Sequence, residues 1–226
     1  MPIRPTLLGE IQTALGQAVT PSLASSSAVN DIYEAYLFSL VLKAAETEDA
    51  TVELKCIQGG HPNPFVFRTS PGYINSRRRN YGYALISFPG CPDLEAHLGI
   101  RVSGHSAVLH EFDVSVIFHD EAEVCRDQGT SVAPRSHKIV MAIEAKFYTT
   151  DIALHLGRGF LGLVKDTSPH NSFFVINRAA RSVEKLLAHK KQNWEHKVVP
   201  GETVPLTRFQ NVVQKAFHNF KTQYGG

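Results

Sequence analysis

Cysteine is scarce in this sequence, and its spacing excludes two kinds of small, cross-linked fold. The chain has three cysteines in 226 residues (Cys56, Cys91 and Cys125), and no two of them form a Cys-x-x-Cys pair. An odd number of widely spaced cysteines argues against a disulfide framework and against a structural zinc site. The eleven histidines are scattered, with no His-Glu-x-x-His run, so most are expected to be surface or packing residues.

Long apolar runs and a secretory signal are also missing. No stretch of the chain approaches the roughly 18–20 consecutive apolar residues that a membrane-spanning helix needs. The first ten residues lack the basic-then-apolar pattern of a signal peptide. The sequence therefore predicts a cytoplasmic protein with no membrane association.

The charges that are present divide unevenly along the chain. Residues 1–130 contain 9 lysines and arginines against 15 aspartates and glutamates, whereas residues 131–226 contain 14 against 6. An acidic cluster can hold a metal ion, and a basic surface can hold phosphate. The alternative at this point is a chance imbalance spread over solvated surfaces.

The order of apolar periodicities and turn residues predicts one α/β domain. An N-terminal helix and a serine-rich loop (residues 1–29) are expected to pack on it, followed by a helix from residue 30 or 31 to about 46, apolar nearly all round. Strands are predicted at 51–57, 65–69, 81–88, 98–102, 109–118 and 138–148. A β-α-β-α series completes the chain, with a strand at 172–176 and helices at 151–165, 179–190 and 206–220.

The strand predicted at 109–118 has one apolar face and one acidic face. Because side chains alternate along a strand, the even-numbered residues from Phe112 to Phe118 share the apolar face. Glu111, Asp113 and Ser115 share the other. Such a carboxylate pair indicates either a solvent-facing edge or a site, and for Glu111 both interpretations stay open.

The strand predicted at 138–148 is apolar on both faces until its last residues. Residues 139–143 are all apolar, which is typical of a central strand covered on both sides. Glu144 and Lys146 then share one face at its C-terminal end, where ligands bind in open α/β sheets. Burying them there is costly without a partner or a task. The alternative is an ion pair between Asp113 and Lys146, with Glu144 merely solvated.

These residue types suit the hydrolysis of a phosphodiester bond. Asp113 and Glu144, on neighbouring strands, can hold Mg²⁺ through oxygen ligands, and the backbone carbonyl of Ala145 is a natural further ligand. The cation lowers the pKa of water and neutralises developing charge, and Mn²⁺ can substitute for it. Lys146 can orient or deprotonate the attacking water, or stabilise the transition state.

The segment from Glu111 to Lys146 resembles the PD-(D/E)xK phosphodiesterase superfamily. The signature of that superfamily is an Asp on one strand followed by Glu-x-Lys on the next. Here Asp113 is followed 31 positions later by Glu144-Ala145-Lys146, although position 112 is Phe where the pattern has Pro. The resemblance implies an α/β fold with a mixed central β-sheet flanked by helices, the restriction-endonuclease-like core.

The resemblance also implies which residues act at the site. Asp113, Glu144 and Lys146 would be catalytic, with Mg²⁺ at the acidic residues. Family members often place a Glu on the helix that precedes the sheet, and Glu34 matches that position as a catalytic and metal-binding residue. The alternative for Glu34 is a first-turn carboxylate that the helix dipole favours, with its head in water.

Two groups of basic residues are predicted to bind nucleic acid. Arg77, Arg78 and Arg79 lie in a predicted loop among tyrosines and asparagines, and guanidinium groups with aromatic rings suit phosphates and bases. By the resemblance, the helix at 151–165 borders the site, so that Arg158 or His155 could contact the scissile phosphate. The alternatives are a basic run on an exposed turn and a solvated polar stripe.

The helix at 151–165 also contains three glycines. Gly157, Gly159 and Gly162 each cost helix stability by up to about 1 kcal/mol, which predicts close packing or close approach of another backbone.

The function that the resemblance implies is that of a Mg²⁺-dependent DNA endonuclease, in restriction, phage defence or repair. Its partners would be nucleic acid, with DNA as the expected form, and either a second copy of the chain or a partner subunit. Two alternatives are retained. One is a catalytically inactive nucleic-acid-binding or assembly domain with the same fold, and the other is a phosphodiesterase acting on RNA or small nucleotides.

Overall fold

The computed structural model describes residues 3–129 and 131–225. Within these residues, six α-helices are α1 (Ile3–Leu15), α2 (Val29–Thr47), α3 (His119–Asp127), α4 (Leu154–Thr167), α5 (Arg181–His189) and α6 (Thr203–Tyr224). Seven strands are β1 (Thr51–Cys56), β2 (Gly82–Ser87), β3 (Leu94–Ser103), β4 (Leu109–Phe118), β5 (Ile139–Lys146), β6 (Ser172–Ile176) and β7 (Asn193–Glu195). A short 3-10 helix, Ser136–Lys138, leads into β5.

The strands form one mixed sheet in the order β1-β2-β3-β4-β5-β6-β7. Neighbours from β1 to β5 pair antiparallel, whereas β5, β6 and β7 pair in parallel. Parallel neighbours need a crossover connection, which α4 and α5 supply. The structure thereby confirms the α/β class and the mixed sheet flanked by helices.

Helices cover both faces of this sheet. In β6, Phe173 and Val175 belong to the main core with α1, α2 and α6, while Phe174 and Ile176 pack against α4 and α5. β5 is likewise buried from Ile139 to Ile143, as predicted for a central strand. Each fully buried side chain of this size stabilises the fold by about 1.5–3 kcal/mol. The C-terminal end of β5 is thereby held in a rigid frame.

The segment at 65–69 and the start of α4 differ from the prediction. Residues 65–69 form isolated bridges instead of a strand, because the backbone of Phe65 and Phe67 bonds to the loop at Thr20 and Ser22. α4 begins at residue 154 and not at 151. The residues before it are tied to the loop after β6, where Arg178 donates a hydrogen bond to the carbonyl of residue 149.

The three glycines of α4 have different surroundings. A Cβ on Gly157 would lie 3.0 Å from Cγ1 of Val183 on α5, whereas a Cβ on Gly159 or Gly162 would meet no atom within 4 Å. The close packing predicted from these glycines is therefore confirmed at Gly157 and wrong at the other two.

We expect Gly162→Ala to raise the free energy of unfolding by about 0.5–1 kcal/mol, because alanine is the better helix former and meets no neighbour. Gly157→Ala gains the same helix propensity but must displace Val183, so its expected change is zero or destabilising. Urea denaturation of both variants measures the difference. Equal stabilisation by both would contradict the packing of α4 on α5 described above.

Candidate active site

β4 and β5 stop pairing where the acidic residues begin. The ladder ends at the pair Val114 and Ile143. Beyond it, the N–H of Ala145 donates to Oδ2 of Asp113 at 2.6 Å, and not to a backbone carbonyl. Asp113 therefore fills the gap that opens between the two strands.

Lys146 joins the two carboxylates of this gap. Its Nζ lies 2.6 Å from Oε1 of Glu144 and 3.3 Å from Oδ2 of Asp113. The side chains of Asp113, Glu144 and Lys146 are 13%, 18% and 20% exposed. The structure thus brings the three predicted residues together in a half-buried position. The alternative interpretation had Glu144 merely solvated, but Glu144 contacts Lys146 at a shorter distance than Asp113 does.

Two further carboxylates border this group. Burial, together with the negative charge of Asp113, raises the pKa of Glu34, on α2, to about 9. Burial also raises the pKa of Glu111 to about 7, with contributions from Asp113 and Glu144. Neither pKa is that of a fully solvated carboxylate. Glu34 and Glu111 therefore belong electrostatically to the same group.

The site holds more negative charge than its lysine offsets. Burial and the charge of Asp113 keep the pKa of Glu144 raised although Lys146 opposes this. Burial would lower the pKa of Lys146, but the two carboxylates outweigh it and hold that pKa above its usual value. The donors are all hard oxygen atoms, which Mg²⁺ and Mn²⁺ prefer. By the chemistry of their donor atoms, Asp113, Glu144 and Glu34, with the Ala145 carbonyl, suit a divalent cation. Within the described residues their carboxylates do not form a group of three within 4.8 Å of one another, so the bound ion stays a prediction.

The raised pKa of Glu34 predicts a specific dependence of stability on pH. The folded protein retains a proton on Glu34 that the unfolded chain releases, so stability falls as pH rises from about 4.5 to about 9. Glu34→Gln removes this loss. Without divalent cations, we expect the variant to be more stable than wild type at pH 9 by at least about 1.4 kcal/mol, the equivalent of one pKa unit.

Urea denaturation at pH 5 and pH 9 measures this difference. Glu46→Gln is the matched control, because Glu46 lies on the same helix and is exposed. Parallel pH profiles for Glu34→Gln and wild type would show that Glu34 ionises normally, and would remove it from the acidic group.

A different group, on β3 and α3, brings three potential metal ligands close together. Potential ligand atoms of Glu95, His119 and Glu123 lie within 4.8 Å of one another. The guanidinium of Arg126 donates to both glutamates, however, and already supplies positive charge there. His119 Nδ1 lies 2.5 Å from Oε1 of Glu95. Sequence reasoning did not anticipate this group, because only the packing of α3 on β3 brings its members together.

The basic residues predicted to bind nucleic acid lie apart from the carboxylates. Arg77, Arg78 and Arg79 are exposed in the turn before β2, and His155 and Arg158 are exposed on α4. Within the described residues, none of the five forms an ion pair with the site carboxylates at 4.0 Å or less. Their role in nucleic-acid binding stays a prediction.

Two arginines that the sequence did not single out lie beside Glu111. Arg101 faces Glu111 across β3 and β4, and its charge opposes the rise in the pKa of that carboxyl. Arg68 is 6% exposed and lies over the ring of Tyr81 at 4.0 Å. A Cβ on Gly99 would lie 3.3 Å from Cδ of Arg68 and 3.4 Å from Oε1 of Glu111, so glycine leaves room for both. Only strand register reveals this neighbourhood.

Comparisons of the chain with protein-family models, with curated proteins and with solved structures found no match. Among the described residues, no helix is both long enough and apolar enough to cross a membrane. The case for a function therefore depends on the geometry around Asp113, Glu144 and Lys146.

Proposed function

We propose that this protein is a metal-dependent nuclease of the PD-(D/E)xK type that acts on DNA as an endonuclease. One observation carries the proposal. The ammonium group of Lys146 reaches the carboxylates of Asp113 and Glu144 at the point where β4 and β5 separate. This is the juxtaposition that the Asp and Glu-x-Lys signature requires.

The order of elements around the site supports a restriction-endonuclease-like core. A helix that carries Glu34 precedes the sheet, and the strand with Asp113 pairs antiparallel with the strand that carries Glu144 and Lys146. A helical crossover then leads to a parallel neighbour. The site lies at the carboxyl end of β5, as ligand sites do in open α/β sheets.

The chain's own residues have distinct tasks in this proposal. Asp113 and Glu144, with Glu34 and the carbonyl of Ala145, would hold Mg²⁺ or Mn²⁺. When bound, such a cation would lower the pKa of a water molecule and offset the charge that develops on the phosphate. Lys146 is held by two carboxylates and can donate hydrogen bonds to the attacking water or to a phosphate oxygen. Its raised pKa favours this role over that of a general base.

The cost of burying these groups argues against a binding domain without catalysis. Two carboxylates and a lysine lose hydration when they are buried, and apolar side chains of similar size would often stabilise the fold more. A purely structural or assembly role gives no reason to keep them. A reaction that needs a divalent cation and an ammonium group does.

Cleavage assays test the proposal directly. Supercoiled plasmid and single-stranded DNA are incubated with wild-type protein in Mg²⁺, in Mn²⁺ or in EDTA. We expect nicking or linearisation that requires a divalent cation and is abolished by Asp113→Asn. The matched control is Asp120→Asn, because Asp120 also pairs with a lysine, Lys138 at 2.8 Å, but is exposed on α3. A wild-type protein that cleaves neither DNA substrate would overturn the proposal.

A further inference from the structure

One face of α4 is exposed along most of the helix and carries basic side chains and glycine. Its members recur at spacings of three and four, which places them on one side of the helix. These residues, here called the α4 stripe, are His155, Arg158, Gly159, Gly162 and Lys165. The opposite side packs against β6 and α5. At 1.5 Å per residue, the stripe is about 15 Å long.

The α4 stripe continues into a groove with a volume of about 720 Å³. This groove, here called the lysine groove, lies at the amino ends of β6 and β7. Lys165, Lys190 and Lys191 line it, together with the polar side chains of Asn171 and Gln192. None of its lining residues in the described part of the chain is acidic. The groove is therefore a concave surface of one charge sign.

The acidic residues close to this surface form hydrogen bonds or ion pairs with other residues. Asp166 follows Lys165 directly, but its carboxylate accepts hydrogen bonds from Ser106 and pairs with His110 at 2.6 Å. Glu184 of α5 contacts His196 at 2.7 Å. Within the described residues, no carboxylate lies within 4.0 Å of the charged groups of the stripe or of the groove lysines. Their positive charge is not neutralised locally.

We propose that the α4 stripe and the lysine groove bind the phosphate backbone of a polynucleotide. A row of unpaired cations matches regularly spaced phosphates, and sequence-independent binding of this kind comes from such contacts. The exposed glycines add no side chain that would keep a backbone away from α4. The inference rests on the proposed function for the reaction that the bound strand undergoes.

The position of the groove defines the class of substrate. It lies beside Ser172, at the start of β6, whereas Lys146 pairs with Ile176 at the other end of that strand. Four residues of strand span about 13 Å. A nucleic-acid strand advances about 3.4 Å per nucleotide in a duplex, so about four nucleotides separate the two places. The groove therefore serves polynucleotides and not mononucleotides or dinucleotides.

Binding measurements with a charge-reversed groove test this inference. Lys190→Glu/Lys191→Glu is combined with Asp113→Asn to prevent cleavage, and fluorescence anisotropy follows labelled single strands of 4 and 24 nucleotides without divalent cations. We expect the affinity for the longer strand to fall at least tenfold relative to Asp113→Asn alone. We also expect the slope of log K against log salt to become shallower by about 1.4, since each phosphate contact on a single strand contributes about 0.7. The affinity for the 4-nucleotide strand should change much less.

The control has the same change in charge at distant positions. Arg4→Glu/Lys55→Glu alters one residue on α1 and one on β1, the strand at the far edge of the sheet from β7, and should bind both strands as Asp113→Asn does. Thermal unfolding checks that all variants fold. Equal affinities of groove variant and control for the longer strand would overturn the inference, as would equal binding of wild type to an acidic polypeptide. Length-dependent binding without any cleavage would support the groove while overturning the proposed nuclease.

Discussion

Lys146→Met is expected to reduce the rate of plasmid cleavage by about 100- to 10,000-fold, the range for losing a catalytic proton donor or a charge-stabilising group. Methionine keeps the length of the side chain and removes the ammonium that contacts Asp113 and Glu144. Both carboxylates remain to hold a cation. The loss should therefore appear in the rate of cleavage and not in the affinity for metal.

Titration of Mn²⁺ by calorimetry separates these two effects. We expect Lys146→Met to bind Mn²⁺ at least as tightly as wild type, because the competing ammonium is gone, whereas Asp113→Asn should lose most of its affinity. Lys138→Met is the matched control. Lys138 lies directly before β5, whereas Lys146 is its last residue, and Lys138 pairs with the exposed carboxylate of Asp120. A Lys146→Met rate within threefold of wild type would assign Lys146 a merely structural role.

The sequence was most informative where a periodic pattern is strong. The bounds predicted for β4 and β6 agree with the structure, because alternation in one and a short apolar run in the other leave few options. α3 was missed because it is short and mostly polar, with Ala122 and Cys125 as its buried apolar residues. β7 was missed because three residues give no periodicity. Local pattern alone does not define elements of this kind.

Buried polar residues in β3 made the start of this strand difficult to predict from the sequence. The strand was predicted at 98–102 but begins at residue 94, since Glu95 and His97 resemble exposed residues in the sequence. In the fold both are buried, at 0% and 3% exposure, and they contact each other at 2.8 Å. Arg126, which pairs with Glu95, lies on α3, a helix that was not predicted. Such burial can be inferred only when both elements are known.

Part of the candidate site could be predicted from patterns within single strands, and part could not. Asp113, Glu144 and Lys146 follow from strand alternation and from the end of an apolar run, whereas Glu34 was proposed only through the family resemblance. The positions of Arg68 and Arg101 beside Glu111 follow from the register of β3 on β4, which no local pattern encodes. Residues whose pattern lies within a single strand can be predicted from the sequence. Contacts between strands can be predicted only when the strand register is known.

Arg126→Ala is expected to destabilise the fold by about 3–5 kcal/mol, the cost of removing the guanidinium that pairs with a buried carboxylate. The guanidinium donates to both carboxylate oxygens of Glu95, which is 0% exposed, and lies 5.4 Å from the ring of Tyr83. Urea denaturation measures the loss. Glu123→Ala removes the exposed partner of the same arginine and should cost less than about 1 kcal/mol.

A paired substitution distinguishes the buried charge from lost packing. Replacing both partners, in Glu95→Met/Arg126→Met, leaves no unpaired charge and should recover more than half of the stability lost in Arg126→Ala. If the double variant were less stable than Arg126→Ala, packing and not the charge pair would account for the loss.

Acid titration supplies the last test of this network. Burial alone would raise the pKa of Glu95, but hydrogen bonds from His97 and Arg126 outweigh it and hold that pKa at about 2. Because the folded pKa lies below the usual value, Glu95 stabilises the fold above about pH 4.5, and this contribution is lost as pH falls toward 2. Removing Arg126 should shrink that loss by more than about 1 kcal/mol, whereas Glu123→Ala should retain most of it. An acid-unfolding profile of Arg126→Ala that parallels wild type would show that Arg126 does not hold Glu95 ionised.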